Sequence, residues 1–419
     1  MSPPKHRRCG SDPDGTTTVE PLPPPVVVPA DLLLEIFARL DDVATIVRCA
    51  ATSKAVRRAI LDNPAFLAGR VEANGALLLG VSYVFLAKDY YSTPAPASVG
   101  QAPRRRNLRF DAGVLMSDEP VASRGGLVVL RDRHYDYEYL RVCNGLTGDT
   151  SCRLPPSRVT GHYPHALLAV VHGAAGRSTS FRLLVADVRL RTQIYSSEGG
   201  GGSWGPVVEL TSRPPGLPRT VPDRGSHPVV LGGGAAVHWL RGDYKCIVRL
   251  DVGKAEATLM ALPPGSVSRV RSIEFDHRAL RLAASPDGEL SLLVAEVLVI
   301  SMWTLSPAAM AAGEGASTTS AMSSAPTAAR WNREVVIRRE AIGRQGPAGG
   351  YSAQFLGFGE LSSTAMLLMD QIGLVQINLK TKEAVVLESD GFKGARADDL
   401  QLCLHEADLR SLLRNMRSF

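Results

Sequence analysis

The chain has 419 residues, of which 45% are hydrophobic and 21% are charged. This composition supports a sizeable folded core, and the length suits two or three domains of about 150 residues, so a mainly disordered chain is excluded. Lys and Arg exceed Asp and Glu by only six charges, and they are scattered, which argues against a nucleic-acid partner. The 39 glycines and 28 prolines favour short strands joined by turns.

The cysteines indicate the cellular compartment. The six cysteines form no C-x-x-C pair and have no histidines at zinc spacing, so neither a disulfide framework nor a metal site is expected. Unpaired thiols fit a reducing compartment. The N terminus lacks the apolar core of a signal peptide, and residues 290–303 are too short to span a bilayer. We therefore expect an intracellular protein, cytoplasmic or nuclear or both, with no membrane partner.

The first two segments differ sharply in character. Residues 1–27 are rich in Pro, Thr and Asp, with few large apolar side chains to offset the entropy of ordering, and are predicted to be a disordered tail. Residues 28–70 have helical periodicity. Pro29 opens the first helix, and Ser53 can cap the third. The apolar positions of the first helix, and then of the second, are Leu32, Leu33, Ile36, Phe37 and Leu40, followed by Val43, Ile46, Val47 and Ala50.

This helical segment carries more apolar surface than it can bury. Three short helices in about 40 residues cannot enclose all of these side chains among themselves. Either the segment is a cap that completes the core of the rest of the chain, or it docks its remaining apolar face on another protein. The periodicity alone leaves both open.

From residue 76 onwards the apolar period changes to two. Short apolar runs separated by Gly, Pro, Asp or Asn clusters predict an all-β architecture. A weak repeat recurs in this region, in which a strand ends at Asn144, Asp251 or Asn378 and a turn and another strand follow; a looser copy ends at Asp187. Repeated hairpins of this kind predict a β-propeller-like domain over residues 76–419, with about six blades.

Two further elements are predicted inside that domain. Residues 306–330 are rich in Ala, Ser and Thr with almost no charge, and are expected to form a disordered surface loop. Residues 406–417 have apolar side chains three, four and seven apart, which predicts an amphipathic terminal helix.

The search for catalytic chemistry finds no established motif. The sequence has no nucleophile elbow, phosphate-binding loop or zinc-protease pair. His162 and His165 lie three residues apart, but no carboxylate or thiol partner is adjacent, so no metal or other cofactor is predicted. His227, His238 and His277 can meet acidic residues only through the fold. We therefore expect a protein that is not an enzyme.

The helical segment resembles an F-box. Residues 28–40 read VPADLLLEIFARL, similar to the family's opening, Leu-Pro-x-Asp-Leu-Leu-x-Glu-Ile-Phe-x-Arg-Leu. Residues 46–49 and 53–57 resemble its middle and end, although Val56 stands where the family usually has Trp. The remainder is similar to the β-propeller-like associated domain of plant F-box proteins, especially those of grasses. That second resemblance rests on residues 126–130, 142–148, 154–156, 195–204 and 406–413.

The resemblance implies the substrate-recognition subunit of an SCF-type cullin–RING ubiquitin ligase. The F-box would dock on the Skp-type adaptor, and through it on cullin, while the β domain would hold an unidentified target protein. The residues expected to make or support the adaptor contact are Pro29, Leu32, Leu33, Ile36, Phe37, Leu40, Ile46 and Val47.

Two alternatives from other functional classes stay open at this point. The first is a β-propeller interaction scaffold, or a transcription-associated binder, outside any ligase. The second is a propeller enzyme that acts on a small molecule, which would require a deep central pocket with converging histidines and carboxylates.

Overall fold

The computed structural model describes the chain in segments, and the account below concerns these segments only. They are residues 29–40, 43–67, 77–86, 96–102, 112–132, 139–145, 148–159, 164–172, 179–187, 189–198, 201–211, 227–241, 246–270, 277–285, 287–306, 330–342, 352–388, 392, 395, 397–407, 409, 410 and 413. The predicted tail, residues 1–27, and all of the predicted loop 306–330 except its two end residues lie outside the described residues.

Three helices form the N-terminal part, as the periodicity predicts: α1 (Ala30–Ala38), α2 (Val43–Thr52) and α3 (Lys54–Leu61). The Pro29 carbonyl accepts a hydrogen bond from Leu33 N at 3.1 Å, which places Pro29 at the start of α1. The Ser53 hydroxyl caps α3 by accepting from Val56 N at 3.3 Å. Asn63 caps a last helical turn, residues 64–67, through its side-chain oxygen and Phe66 N. No described helix is long and apolar enough to cross a bilayer.

The rest of the described chain is mainly β and forms six antiparallel sheets, five with four strands and one with three. Blade 1 contains β3 (Asp118–Arg124), β4 (Leu127–Asp132), β5 (Leu140–Asn144) and β6 (Thr150–Arg153). Blade 2 contains β7 (His165–His172), β8 (Thr179–Ala186), β9 (Thr192–Ser196) and β10 (Ser203–Trp204). Blade 3 contains β11 (Val229–Leu231), β12 (Ala236–Leu240), β13 (Cys246–Asp251) and β14 (Glu256–Ala261).

The other three sheets are two further four-stranded blades and one three-stranded sheet. Blade 4 contains β15 (Leu280–Ala284), β16 (Leu290–Ala295), β17 (Val299–Leu305) and β18 (Trp331–Arg338). Blade 5 contains β19 (Ala353–Gly359), β20 (Thr364–Met369), β21 (Gly373–Asn378) and β22 (Glu383–Glu388). The three-stranded sheet, here called the closing sheet, contains β1 (Leu77–Leu86), β2 (Pro96–Ala102) and β23 (Leu400–Ala407).

The sheets are arranged as a ring. The first strand of each blade contacts the first strand of the next, and β23 contacts both β19 and β3. A separate hydrophobic core fills each of the six gaps between neighbouring sheets. Each sheet thus buries both of its faces against two neighbours, which a single hairpin cannot do. The described residues therefore form a β-propeller.

The blade count differs from the prediction. The sequence predicted about six blades, and the described residues contain five four-stranded blades. The prediction was wrong because it divided the length by a typical blade size. The sixth position in the ring is instead taken by the closing sheet, which has three strands and draws β1 and β2 from one end of the domain and β23 from the other.

The sequence repeat corresponds to one recurring turn. Asn144, Asp251 and Asn378 each end the third strand of a blade. Asp251 Oδ1 accepts from Lys254 N at 2.9 Å, and Asn378 Oδ1 accepts from Lys380 N at 2.8 Å. Four residues after each Asn or Asp, the backbone has positive φ: 73° at Gly148, 54° at Ala255 and 59° at Lys382. The looser copy differs in position, because Asp187 follows β8, the second strand of its blade.

The chain end departs from the predicted helix. Strand β23 continues to Ala407, so residues 406 and 407 are strand rather than the start of the helix predicted over 406–417. The Glu406 carboxylate accepts a hydrogen bond from Ser362 N of blade 5 at 2.8 Å. This contact explains why residue 406 stays in the strand. The described residues Leu409, Arg410 and Leu413 are helical.

The recurring turn generates a stability prediction. Replacing Ala255, which has φ of 54°, with Gly should raise the free energy of unfolding by about 0.5 kcal/mol, because a side chain opposes the left-handed conformation. Gly148→Ala, at the matching position of blade 1, should lower it by a similar amount. Urea denaturation measures both changes, and a loss of stability in Ala255→Gly would contradict this account.

Candidate functional site

The helical part has a closed core of its own. Phe37, Ile46, Ala50, Ile60 and Leu67 are buried against one another, and two residues from the chain end, Leu409 and Leu413, complete the same cluster. The end of the chain therefore covers one side of the helices. This cluster is called the helical core below.

The residues predicted for the adaptor contact divide into three groups by exposure. Phe37 and Ile46 are 4% and 0% exposed and belong to the helical core. Leu33, Leu40 and Val47 are half-buried around its margin. Pro29, Leu32 and Ile36 are exposed. Sequence periodicity could not separate Leu32, Leu33, Ile36, Phe37 and Leu40 into these groups, because all five lie on one wide apolar stripe.

The exposed group forms a surface on α1. Leu32 and Ile36 are 49% and 46% exposed and are four residues apart, so they lie side by side on one face of the helix. Pro29 lies about one helical turn before Leu32. Glu35 of α1 and Arg39, the residue that follows α1, form an exposed ion pair at 2.6 Å, a type that contributes little to stability. Pro29, Leu32 and Ile36 are called the α1 surface below.

Val56, which stands where the sequence departs from the F-box pattern, lies on α3. Val56 is half-buried and packs at the edge of the helical core. Its backbone N–H also donates a hydrogen bond to the Ser53 hydroxyl, which caps α3. Val56, although smaller than Trp, therefore contributes to the packing of the helical core and to the start of α3.

A second candidate site lies at the centre of the ring. The first strand of every blade, together with β23, lines a central cavity with about 710 Å³ of empty space, part of which is open to solvent. Its polar lining includes His165, His227, Arg281 and Glu360. Sequence reasoning grouped His227 with His238 and His277, but only His227 lines this cavity; His238 is buried inside blade 3.

Two basic side chains of the lining, His227 and Arg281, lie close enough to interact. Burial, reinforced by the charge of Arg281, lowers the pKa of His227 to about 3, and its ring hydrogen-bonds to the backbone of Val121. Burial and the charge of Arg278 lower the pKa of Arg281 to about 9. At neutral pH, His227 is therefore uncharged and Arg281 is a buried cation, 6% exposed.

The lining also carries one carboxyl group, that of Glu360. Burial raises the pKa of Glu360 to about 7, opposed by Arg124 and reinforced by Glu406. Arg124 Nε lies 3.4 Å from the Glu360 carboxylate, and the backbone of Val230 hydrogen-bonds to the same group. Burial also raises the pKa of Glu406. Glu360 thus changes its charge close to neutral pH.

Neither Arg281 nor Glu360 was identified from the sequence. Each is a single polar residue in or beside an apolar strand, and no local motif marks it. Only the convergence of strands from different blades brings them to one cavity. Among the described residues, no three His, Cys, Asp or Glu side chains are placed to hold a metal ion, and His162 lies outside these residues.

The raised pKa of Glu360 generates a pH prediction. Because the folded protein binds this proton more tightly than the unfolded chain, whose carboxyl stays near 4.5, the free energy of unfolding should fall as pH rises from about 4.5 to about 7. Glu360→Gln should flatten that fall and be more stable than the wild type at about pH 8. Urea denaturation across this range tests it, with exposed Glu383→Gln as the control; an unchanged pH profile in Glu360→Gln would contradict the assignment.

The solved structures that match this chain are distant in sequence. The β-propeller domain of Cps50 (Swd1) from Myceliophteria thermophila is 10% identical, with 64% of this chain and 72% of that chain covered and a TM-score of 0.32. A chain of the nidogen/laminin complex is 10% identical, with coverages of 77% and 98% and a TM-score of 0.36. TolB from Acinetobacter baumannii is 9% identical, with coverages of 84% and 73% and a TM-score of 0.32. These values carry no information on function.

No curated protein matches the sequence. One family model does match, described as "Domain of unknown function (DUF7595)", over residues 80–419. The match covers the propeller from β1 to the end of the chain and begins after the three helices. The chain therefore belongs to the DUF7595 family.

Proposed function

We propose that this protein is the substrate-recognition subunit of an SCF-type ubiquitin ligase. In this proposal α1–α3 act as an F-box that docks on a Skp-type adaptor, and the propeller holds a target protein. The proposal rests on the resemblance of residues 28–67 to an F-box and on the similarity of the remainder to the associated domain of plant, especially grass, F-box proteins. It also rests on the exposure of the α1 surface. A propeller is a fold well suited to protein–protein interaction, which is consistent with a receptor role.

The α1 surface is the observation that carries the proposal. Leu32 and Ile36 keep nearly half of their surface in contact with solvent, although the neighbouring Phe37 is fully packed in the helical core. Leu409 and Leu413 cover a different part of the helices. An apolar helix face that the described chain leaves uncovered gains free energy when a partner buries it.

The proposed mechanism requires no bond chemistry in this chain. A target held on the propeller would be near the ubiquitin-charged enzyme that the adaptor and cullin carry. Tethering makes the attack of a target lysine effectively intramolecular, which raises its local concentration to the millimolar range for short flexible links. The proposed location is the cytoplasm, the nucleus or both, where such ligases meet their targets.

Adaptor capture tests the proposal. Changing Leu32 and Ile36 together to Asp should reduce capture of a purified Skp-type adaptor at least tenfold, because two buried apolar contacts each contribute about 1.5 kcal/mol or more. Isothermal titration calorimetry with the full chain measures the affinity. The fold should survive, since both side chains are exposed.

A matched control uses exposed valines far from the helices. Val385 and Val386 on β22 are 54% and 39% exposed, and their double change to Asp should leave adaptor affinity unchanged. Adaptor binding that persists in Leu32→Asp with Ile36→Asp would exclude the α1 surface. A wild-type chain that captures no adaptor would instead support a propeller scaffold outside any ligase.

A further inference from the structure

An ion pair joins the last blade directly to the first. Arg124 is the final residue of β3 in blade 1, and Glu360 follows β19 of blade 5. Arg124 Nε lies 3.4 Å from the Glu360 carboxylate, and the two side chains keep only 23% and 19% of their surfaces exposed. The ring is therefore closed a second time, by a pair of charges that acts in addition to the strand pairing of the closing sheet.

Hydrogen bonds to the backbone extend this ion pair to two more blades. Arg124 Nη1 donates to the carbonyl oxygens of Leu167 and Leu168 in blade 2, both at 3.1 Å. The backbone N–H of Val230 in blade 3 donates to the Glu360 carboxylate. Two side chains thus contact four of the five blades. Arg124, Glu360 and these three backbone groups are called the ring joint below.

A second buried carboxylate borders the ring joint. Glu406 of β23 accepts hydrogen bonds from Leu361 N at 3.4 Å and from Ser362 N at 2.8 Å. These are the two residues that follow Glu360, so the closing sheet is attached to the chain beside the joint. The Glu406 carboxylate opposes the ionisation of Glu360, because like charges in a buried site repel each other.

Burial and charge act on Glu360 in opposite directions. Burial favours its neutral form, Glu406 adds to that effect, and Arg124 favours the ionised form. The cavity lining carries three further ionisable side chains, on or beside β7, β11 and β15: His165, His227 and Arg281. The net result is a pKa of about 7 for Glu360, so the closed joint holds this proton more tightly than a hydrated carboxyl group does.

We propose that the ring joint is a pH-responsive contact, in which loss of the Glu360 proton loosens blade 5 from blades 1 to 3 while the rest of the ring stays closed. A buried carboxylate gains free energy when water reaches it, so ionisation favours an arrangement in which Glu360 is hydrated. The closing sheet holds the ring during this opening, because β23 pairs with β1 from Leu77 to Phe85. The proposal does not depend on adaptor binding.

Opening of the joint should increase as pH rises. The pKa of Glu360 is about 7 in the closed joint and 4.5 for an ordinary glutamate. The closed form therefore binds the proton more tightly, and the equilibrium constant for opening grows as pH rises from about 4.5 to about 7. Between about pH 5.5 and about pH 8 we expect it to grow at least tenfold.

Hydrogen exchange of the full chain, followed by mass spectrometry between about pH 5.5 and about pH 8, tests the proposal. After division by the intrinsic exchange rate at each pH, protection of the Val230, Leu361 and Ser362 amides should fall at least tenfold as pH rises. Low urea should hardly change this protection, because a local opening exposes little surface. The amides of β16 in blade 4 are the reference, and we expect them to be better protected and sensitive to urea.

Variants identify the responsible group. Glu360→Gln should make protection of the joint amides independent of pH beyond the intrinsic rate. Glu340→Gln is the matched control, because Glu340 also pairs with an arginine, Arg338, at 3.6 Å but is 78% exposed; it should behave as the wild type. Arg124→Met should move the fall in protection to higher pH, since the cation that favours ionisation is removed.

Three results would overturn the proposal. The first is joint amides whose protection has the same urea dependence as that of β16, which would mean that they exchange only by unfolding of the whole domain. The second is a wild type whose joint protection is constant or rises with pH. The third is a folded Glu360→Gln variant that keeps the pH dependence of the wild type.

Discussion

Pairing of β23 with β1 holds the whole structure together, because it joins the two ends of the propeller domain in one sheet. Val81 lies opposite Leu404 in this pair, and Tyr83 lies opposite Leu402. Without it, blades 5 and 1 would each expose an apolar face that is now packed against the closing sheet. The inner strands would also lose the closed arrangement that defines the central cavity.

The same strand connects the ring to the helices. Leu409 and Leu413 follow β23 by only a few residues and are buried in the helical core, so closure of the ring and coverage of the helices use one continuous segment. This connection restricts the helices relative to the propeller. In a tethering mechanism such a restriction is useful, since effective concentration falls when a link is too long or too loose.

Local features of the fold follow from local chemistry. Ser53 and Pro29 are found where the sequence places them because caps depend on a few neighbouring backbone groups. The turns after Asp251 and Asn378 are likewise specified by the Asn or Asp side chain. The blade count was mispredicted because the sixth position of the ring is closed by strands from both ends of the domain. The boundary at Ala407 was mispredicted because the Glu406 carboxylate is held by Ser362, 44 residues earlier in the chain.

The sequence by itself determined that three amphipathic helices precede a repetitive β domain, because periodicity and turn residues act over a few positions. Only the tertiary structure decided which apolar residues of α1 are packed and which face solvent, since Phe37 and Ile36 belong to the same stripe but differ in their neighbours. It also decided that Arg281 and Glu360 share a cavity, because residues almost 80 positions apart become neighbours only when the strands that carry them close into a ring.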